Sequence, residues 1–519
     1  LAAALPGCSC LMRLNIRRNT ISAAGAGALA EALPHAAALQ HLTLARNNLC
    51  AEGITALSKF LPACSVLTAL DVSNCTLGED GVLALSSALR TCQHLSYIDL
   101  RDNSIGADGA VGLGAAASVC EELRYLDLSR NRLGDSGCAS LARELESCTR
   151  LVHLSLSMND IGDTGISILA AHLPCSLTNI YLANNRITHK SSDMLALGLH
   201  RCSKLTLLDL RWNRMGTGAA IPLGRTVAKC TYLSFLELGS NGLREDGVCA
   251  LMKAWSEGVM EWGASVPQTA PKTAGDTVSV STVDRVKFLK GEEGGVAGES
   301  ETRHHIGSVV REGCSTRTHT HTHTSYTNIH SGRSLAYIGL RQNFIGDIGA
   351  KALASGPAHM LVGLTKLDLS GNNVGNEGMT SLAAGLKPGG TIVNLQRLDF
   401  YENTVRDAGA LELAAAIEVA RVLAHLDLRY NNIGPQGVER LHSAKHKSAH
   451  LEHLATSEQV GALLSARTFD GVGQQMFEDM VSRVEIAAER AVGAFSSTVG
   501  IFSIVFLAVL VRLVLFVPH

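Results

Sequence analysis

The sequence predicts a curved α/β solenoid, with short parallel strands lining its inside, helices on its outside and a hydrophobic helix at the C-terminal end. Three observations predict it. A short pattern, Leu-x-x-Leu-x-Leu-x-x-Asn-x-Leu, returns thirteen times; a stretch of helical periodicity follows each copy; and a long uncharged run ends the chain. The asparagine position of the pattern falls at Asn19, Asn47, Cys75, Asn103, Asn131, Asn159, Asn185, Asn213, Asn241, Asn343, Asn372, Asn403 and Asn431. A step of 28 residues dominates, and one step of 102 separates Asn241 from Asn343. Self-similarity at such a period marks an array in which each unit buries its apolar face only against its neighbours.

The unit is clear in Leu95-Ser96-Tyr97-Ile98-Asp99-Leu100-Arg101-Asp102-Asn103-Ser104-Ile105. Alternation around Ile98 and Leu100 predicts a short strand whose leucines and isoleucines face inward. Asn103 marks the turn, where its side chain can bond backbone groups of the turn and of the next coil. Gly-x-Asp/Glu-x-Gly-like stretches such as Gly106-Ala107-Asp108-Gly109 and Gly162-Asp163-Thr164-Gly165 follow. Their acidic residue is expected to cap a helix start and their glycines to permit tight turns. Apolar residues at helical spacing then complete the unit, as in Ile166-Ser167-Ile168-Leu169-Ala170-Ala171-His172-Leu173. A strand shorter than its helix bends the stack into a horseshoe with the strands inside.

Asn-x-Ile/Leu-Gly-Asp/Glu-x-Gly followed by a Leu/Ala helix resembles the ribonuclease-inhibitor class of leucine-rich repeats, shared with the repeat regions of NOD-like receptors and with Ran GTPase-activating protein. The resemblance implies a fold far more sharply than a function, because one solenoid hosts unrelated partners. It covers roughly residues 1–258 and 333–446, and the chain divides into nine repeats over 1–258 and four repeats with a degenerate terminal unit over 333–460. Leu1–Cys8 aligns with Leu29–Ala36, so the chain opens inside a repeat helix and is expected to continue upstream. Residues 259–332 lack the pattern and contain Thr318-His319-Thr320-His321-Thr322-His323-Thr324, which reads as a disordered low-complexity insert rather than a histidine metal site. Residues 461–490 read as an amphipathic helical linker. Residues 491–517 read as a transmembrane helix, with 21 consecutive uncharged residues from Ala491 to Val511. The expectation is a cytoplasmic repeat domain tail-anchored to an intracellular membrane.

A net charge of -2 argues against nucleic-acid binding. The fourteen cysteines fall largely on one repeat phase, with Cys64, Cys92, Cys120 and Cys148 spaced by 28 and Cys8, Cys202 and Cys230 in the same phase. Such thiols are expected in the core, reduced, and not in disulfides or zinc sites. No phosphate loop, nucleophile elbow or His-Glu-x-x-His helix is present, so no catalytic residue, metal or cofactor is expected.

Strand residues that point away from the core form three columns. The central one is acidic: Asp71, Asp99, Asp127, Asp209, Glu237, Asp368, Asp399 and Asp427. On one side lie Arg17, Arg101, Arg211, Arg341 and Arg429, and on the other His41, Tyr97, Tyr125, His153, Phe235, Tyr337 and His425. Aromatics and arginines dominate protein-binding hot spots. The functional expectation is a non-enzymatic scaffold that holds a protein partner on these columns. The resemblance implies two alternatives: a GTPase activator, or the sensing region of a NOD-like receptor.

Overall fold

The computed structural model describes residues 1–265, 335–356 and 361–456. Nearly all of the insert, the linker at 461–490 and the apolar run at 491–517 lie outside the described residues. Two compact units divide the chain, Leu1–Glu261 with His330–His519, and Trp262–Ile329. Every described strand belongs to the first.

That unit holds one parallel sheet of fourteen three-residue strands, ordered along the chain from β1 (Arg13–Asn15) to β14 (His453–Ala455). Each strand is short because a turn must follow its second inward residue. The middle residue of every strand, such as Leu42, Leu70, Ile98 and Leu126, points into the core. Helices such as Gly78–Leu89, Ala107–Ala117 and Gly134–Leu145 run between the strands and pack on one another along the other side. Their inward residues, Val82, Leu85, Ala110, Leu113, Cys138 and Leu141 among them, join the strand leucines in one continuous core. The repeats on either side of the insert stack directly. Strand β9 (Phe235–Glu237) pairs in parallel with β10 (Tyr337–Gly339), matching Leu236 to Ile338.

The turn asparagines bind the coils together. Asn131 Oδ1 accepts the N–H groups of Asn103 and Ile105, both at 3.0 Å, and its Nδ2 donates to Leu100 O of the preceding coil and Leu128 O of its own. Asn103, Asn185, Asn343 and Asn372 repeat the arrangement. At Cys75 the thiol still reaches Leu44 O at 3.3 Å. Toward the Asn47 N–H its sulfur, a weaker acceptor, stands where other coils present an amide oxygen.

Acidic residues cap helices, but not their own. No helix among the described residues that starts with the glycine-acid motif has a side-chain bond from its N-cap. Instead Asp347 accepts from Gly375 N (2.6 Å) and Gly378 N (2.9 Å), and Asp407 from Gly434 N (2.8 Å) and Gly437 N (2.9 Å), one coil onward. Glu79 does the same for Gly106 and Gly109. The glycine is required by this approach, since a side chain at Gly437 would overlap the Asp407 carboxylate.

All described cysteines are free thiols. Cys64, Cys92, Cys120, Cys148, Cys202 and Cys230 are buried, and burial pushes the Cys120 thiol up to about 12. Cys8 shares their phase but is exposed, because its coil is covered on one side only. Among the described residues no helix is long and apolar enough to cross a membrane.

Replacing Cys75 by Asn should complete the ladder and raise stability by about 1 kcal/mol. Asn131→Ala should lower it by about 2–4 kcal/mol, since four backbone groups in a buried turn lose their partner. Urea unfolding of the full chain followed by circular dichroism measures both; equal midpoints for Cys75→Asn and wild type would refute the acceptor deficit.

Candidate functional site

The face of the sheet away from the helices carries the three expected columns, but they differ in what they leave open. Parallel register sets Tyr97 opposite Tyr125, and Tyr125 opposite His153. Their rings stack with centroids 4.2 Å and 4.1 Å apart and planes within 11° and 16°. Tyr181 extends the row, 4.9 Å from His153. Burial and the nearby Arg101 hold the His153 imidazole down at about 4, so it is neutral across the physiological range. Further along, Phe235 stacks on Tyr337 at 4.2 Å, with the Lys366 ammonium 4.9 Å from the Tyr337 ring. Arg341 and Arg429 each lie 5.8 Å from the ring of Tyr401.

The acidic column turns inward on the turns themselves. Asp99, Asp127, Asp209, Glu237 and Asp399 are buried, and Asp71, Asp368 and Asp427 are half-buried. Asp71 accepts from Ser73 N, Asp99 from Arg101 N, Asp127 from Ser129 N, Asp209 from Arg211 N, Asp368 from Ser370 N and Asp427 from Arg429 N, all at 2.9–3.1 Å. Asp399 instead takes the Arg397 Nε at 2.9 Å. These carboxylates, expected as partner contacts, satisfy the backbone leaving each strand. Flanking arginine and aromatic side chains cover them, which a strict alternation of faces does not foresee.

The arginines are the exposed half of those pairs. Arg101 Nη2 lies 2.8 Å from Asp99 and its Nε 3.3 Å from Asp127 on the next strand, yet the side chain stays 42% exposed. Arg211 on Asp209 and Arg429 on Asp427 are held in the same way, at 2.8 and 2.7 Å. Arg341 is exposed without a carboxylate within ion-pair distance among the described residues. Held this way, a guanidinium is aimed before any partner arrives.

Glu237 and Tyr337 form a separate pair at the junction of β9 and β10. The Tyr337 hydroxyl donates to Glu237 Oε2 at 2.6 Å, and Tyr337 is buried, so neither is available to a partner as expected. Glutamate, one methylene longer than the usual aspartate, lays its carboxylate over the next strand, where a side chain at Gly339 would overlap it. Burial raises this carboxyl to about 7, and the Tyr337 hydroxyl and Arg211 offset only part of that.

Several face residues escaped the sequence. Tyr181 stands in the acidic column, one column from His153, in a coil shortened to 26 residues, so no column pattern flags it. The residue just before the ladder asparagine takes a left-handed φ throughout, near 56° at Arg46 and Trp212, and projects outward. Arg, Met, Trp and Tyr all occupy it, so composition gives no sign of the conformation. Trp212 is 57% exposed there. Among the described residues no group of three or more His, Cys, Asp or Glu could hold a metal ion.

Parallel strands, coil-to-coil asparagines and stacked outer helices define a leucine-rich-repeat solenoid. Eight segments of the chain, 7–30, 63–86, 91–114, 119–142, 147–170, 201–224, 364–383 and 420–441, match the family model described as Leucine Rich repeat. Among solved structures, a leucine-rich-repeat protein of Leptospira interrogans is similar at 16% identity and a TM-score of 0.43, over 87% of this chain and 98% of that one. No curated protein matches the sequence.

The Glu237 carboxyl carries a pH dependence of known sign. Its folded value of about 7 lies above the ordinary value of 4.5, so the folded chain keeps the proton between them. Stability is therefore greatest on the acid side of this window and falls as pH rises through about 7. Glu237→Gln should flatten that slope between pH 5 and 8 in urea unfolding; an unchanged slope would show that another group is responsible.

Proposed function

We propose that the chain is a non-enzymatic protein-binding scaffold that receives its partner on the open face of the sheet, and that its repeats are of the ribonuclease-inhibitor class. The ring ladder Tyr97-Tyr125-His153-Tyr181 carries the reading. Flat, half-buried rings stacked at about van der Waals distance offer large contact area at little entropic loss, and Arg101 beside them supplies a fixed donor. Leucine-rich repeats generally mediate protein–protein interaction, and this face has the anchors for it. The binding set is accordingly Tyr97, Tyr125 and Arg101 at its centre, with Arg211, Phe235, Arg341 and Arg429 toward the C-terminal coils. A strand-and-helix unit of 28 residues supports the repeat class. The uncharged run from Ala491 to Val511 supports a membrane tether for the scaffold.

The double variant Tyr97→Ala/Tyr125→Ala should lose its cross-linked protein partners in cells while keeping its thermal midpoint within a few degrees. Asp99→Ala should act the other way, costing about 1–3 kcal/mol of stability through the unpartnered Arg101 N–H. Partners retained by the tyrosine variant would end the ladder reading. A chain ending at residue 490 should leave the alkaline-extracted membrane pellet that holds the full chain; retention in the pellet would remove the tether.

A further inference from the structure

The acidic column is missing from the first two coils. In the sheet register Asn15 and Thr43 stand where the following coils carry Asp71 and Asp99. The arginines are not missing. Arg13 and Arg17 project from the open side of β1, alternating with the inward Leu14 and Ile16, and Arg18 and Arg46 occupy the left-handed turn position of neighbouring coils. All four are exposed, and among the described residues no carboxylate lies within 4.0 Å of any of them. Elsewhere on the face Arg101, Arg211, Arg397 and Arg429 each sit on an aspartate. On two coils about 5 Å apart, Arg13 and Arg17 therefore lack the aspartate that holds Arg397 and Arg101, and Arg18 and Arg46 add two further open charges at the turns.

We propose that this arginine cluster is a docking site for an acidic segment of a protein partner, a run of Asp and Glu side chains that supplies the carboxylates the first two coils lack. The proposal rests on the open sheet face being the binding surface, and it names the chemistry of one end of the partner. Charge complementarity carries it: guanidiniums favour planar, bidentate carboxylates, and here they are neither neutralised nor buried. The size of the cluster favours a peptide over a nucleic acid. The basic tract stops after two coils, and the chain as a whole has a net charge of -2, whereas a nucleic-acid backbone is tracked by a longer basic stripe. The cluster shares a face with the ring ladder, which begins two coils later at Tyr97, so one partner can span both.

Fluorescence anisotropy of a labelled octaglutamate peptide on the full chain tests this. The peptide should bind, and its affinity should fall about tenfold or more in Arg17→Glu/Arg46→Glu and drop steeply between about 50 and 200 mM salt. Arg17→Gln/Arg46→Gln should show a smaller loss in the same direction, while Arg225→Glu, on the helical side, should bind as wild type. Equal binding by Arg17→Glu/Arg46→Glu overturns the proposal, as does an equal loss in Arg225→Glu, which would mean unspecific attraction. A single-stranded oligothymidylate of the same charge binding more tightly at the same arginines also overturns it, in favour of nucleic acid. Tyr97→Ala/Tyr125→Ala should leave octaglutamate affinity unchanged, so failure of the arginine site and failure of the ring ladder are separately visible.

Discussion

An amide side chain that accepts N–H groups from the coil before it, and donates to carbonyls of that coil and its own, ties most of these short-strand coils to the one before. Each coil turns sharply after three strand residues, which leaves backbone groups pointing along the array with no helix or strand to pair them. Unpaired, each would cost about 1–3 kcal/mol in the interior. The same turn holds one residue per coil in the left-handed region, even where that residue is Trp212, Met158 or Tyr430. That conformation costs about 1–2 kcal/mol per residue. Several charge-free bonds per asparagine exceed this penalty, so the turn is imposed by the neighbouring coil and tolerates almost any side chain. Glu79, Asp347 and Asp407 extend the same logic to the outer layer by closing the helix start of the following coil.

This division of labour decides what is left for recognition. Carboxylates that look like a ligand-facing stripe are absorbed by the turns, and the arginines and rings beside them form the surface a partner can touch. The acids fix where Arg101, Arg211 and Arg429 point. Where the fold withholds the acid, at Asn15 and Thr43, the arginines keep their charge open.

How much of this was legible before the structure follows from the range of each interaction. The strands, the inward leucines and the turn asparagines rest on a period that thirteen copies repeat, and they could be read directly. The thiol ladder could be read because it shares that period. The helix caps could not, since a local motif such as Gly-x-Asp-x-Gly suggests capping within its own helix, whereas the bond from Asp407 reaches Gly437, thirty positions onward. The burial of Asp99 was equally hidden: its place in the strand assigns it to the open face, and only the side chains of Tyr97, Arg101 and Tyr125 decide that water is kept away. Tyr181 joined the ring row from the neighbouring column, with the strand register unbroken, so only its side-chain placement shows the contact.

The junction between β9 and β10 shows how little the array depends on what separates its coils. Asn343 accepts the N–H of Asn241 across 102 positions with the same geometry that Asn131 achieves across 28. Lengthening a connection from 28 to 102 residues adds only about 1 kcal/mol of closure entropy, because the penalty grows with the logarithm of length. A coil boundary on this scaffold is thus a port for grafted sequence, one where an added module is carried without a change in the register of the array.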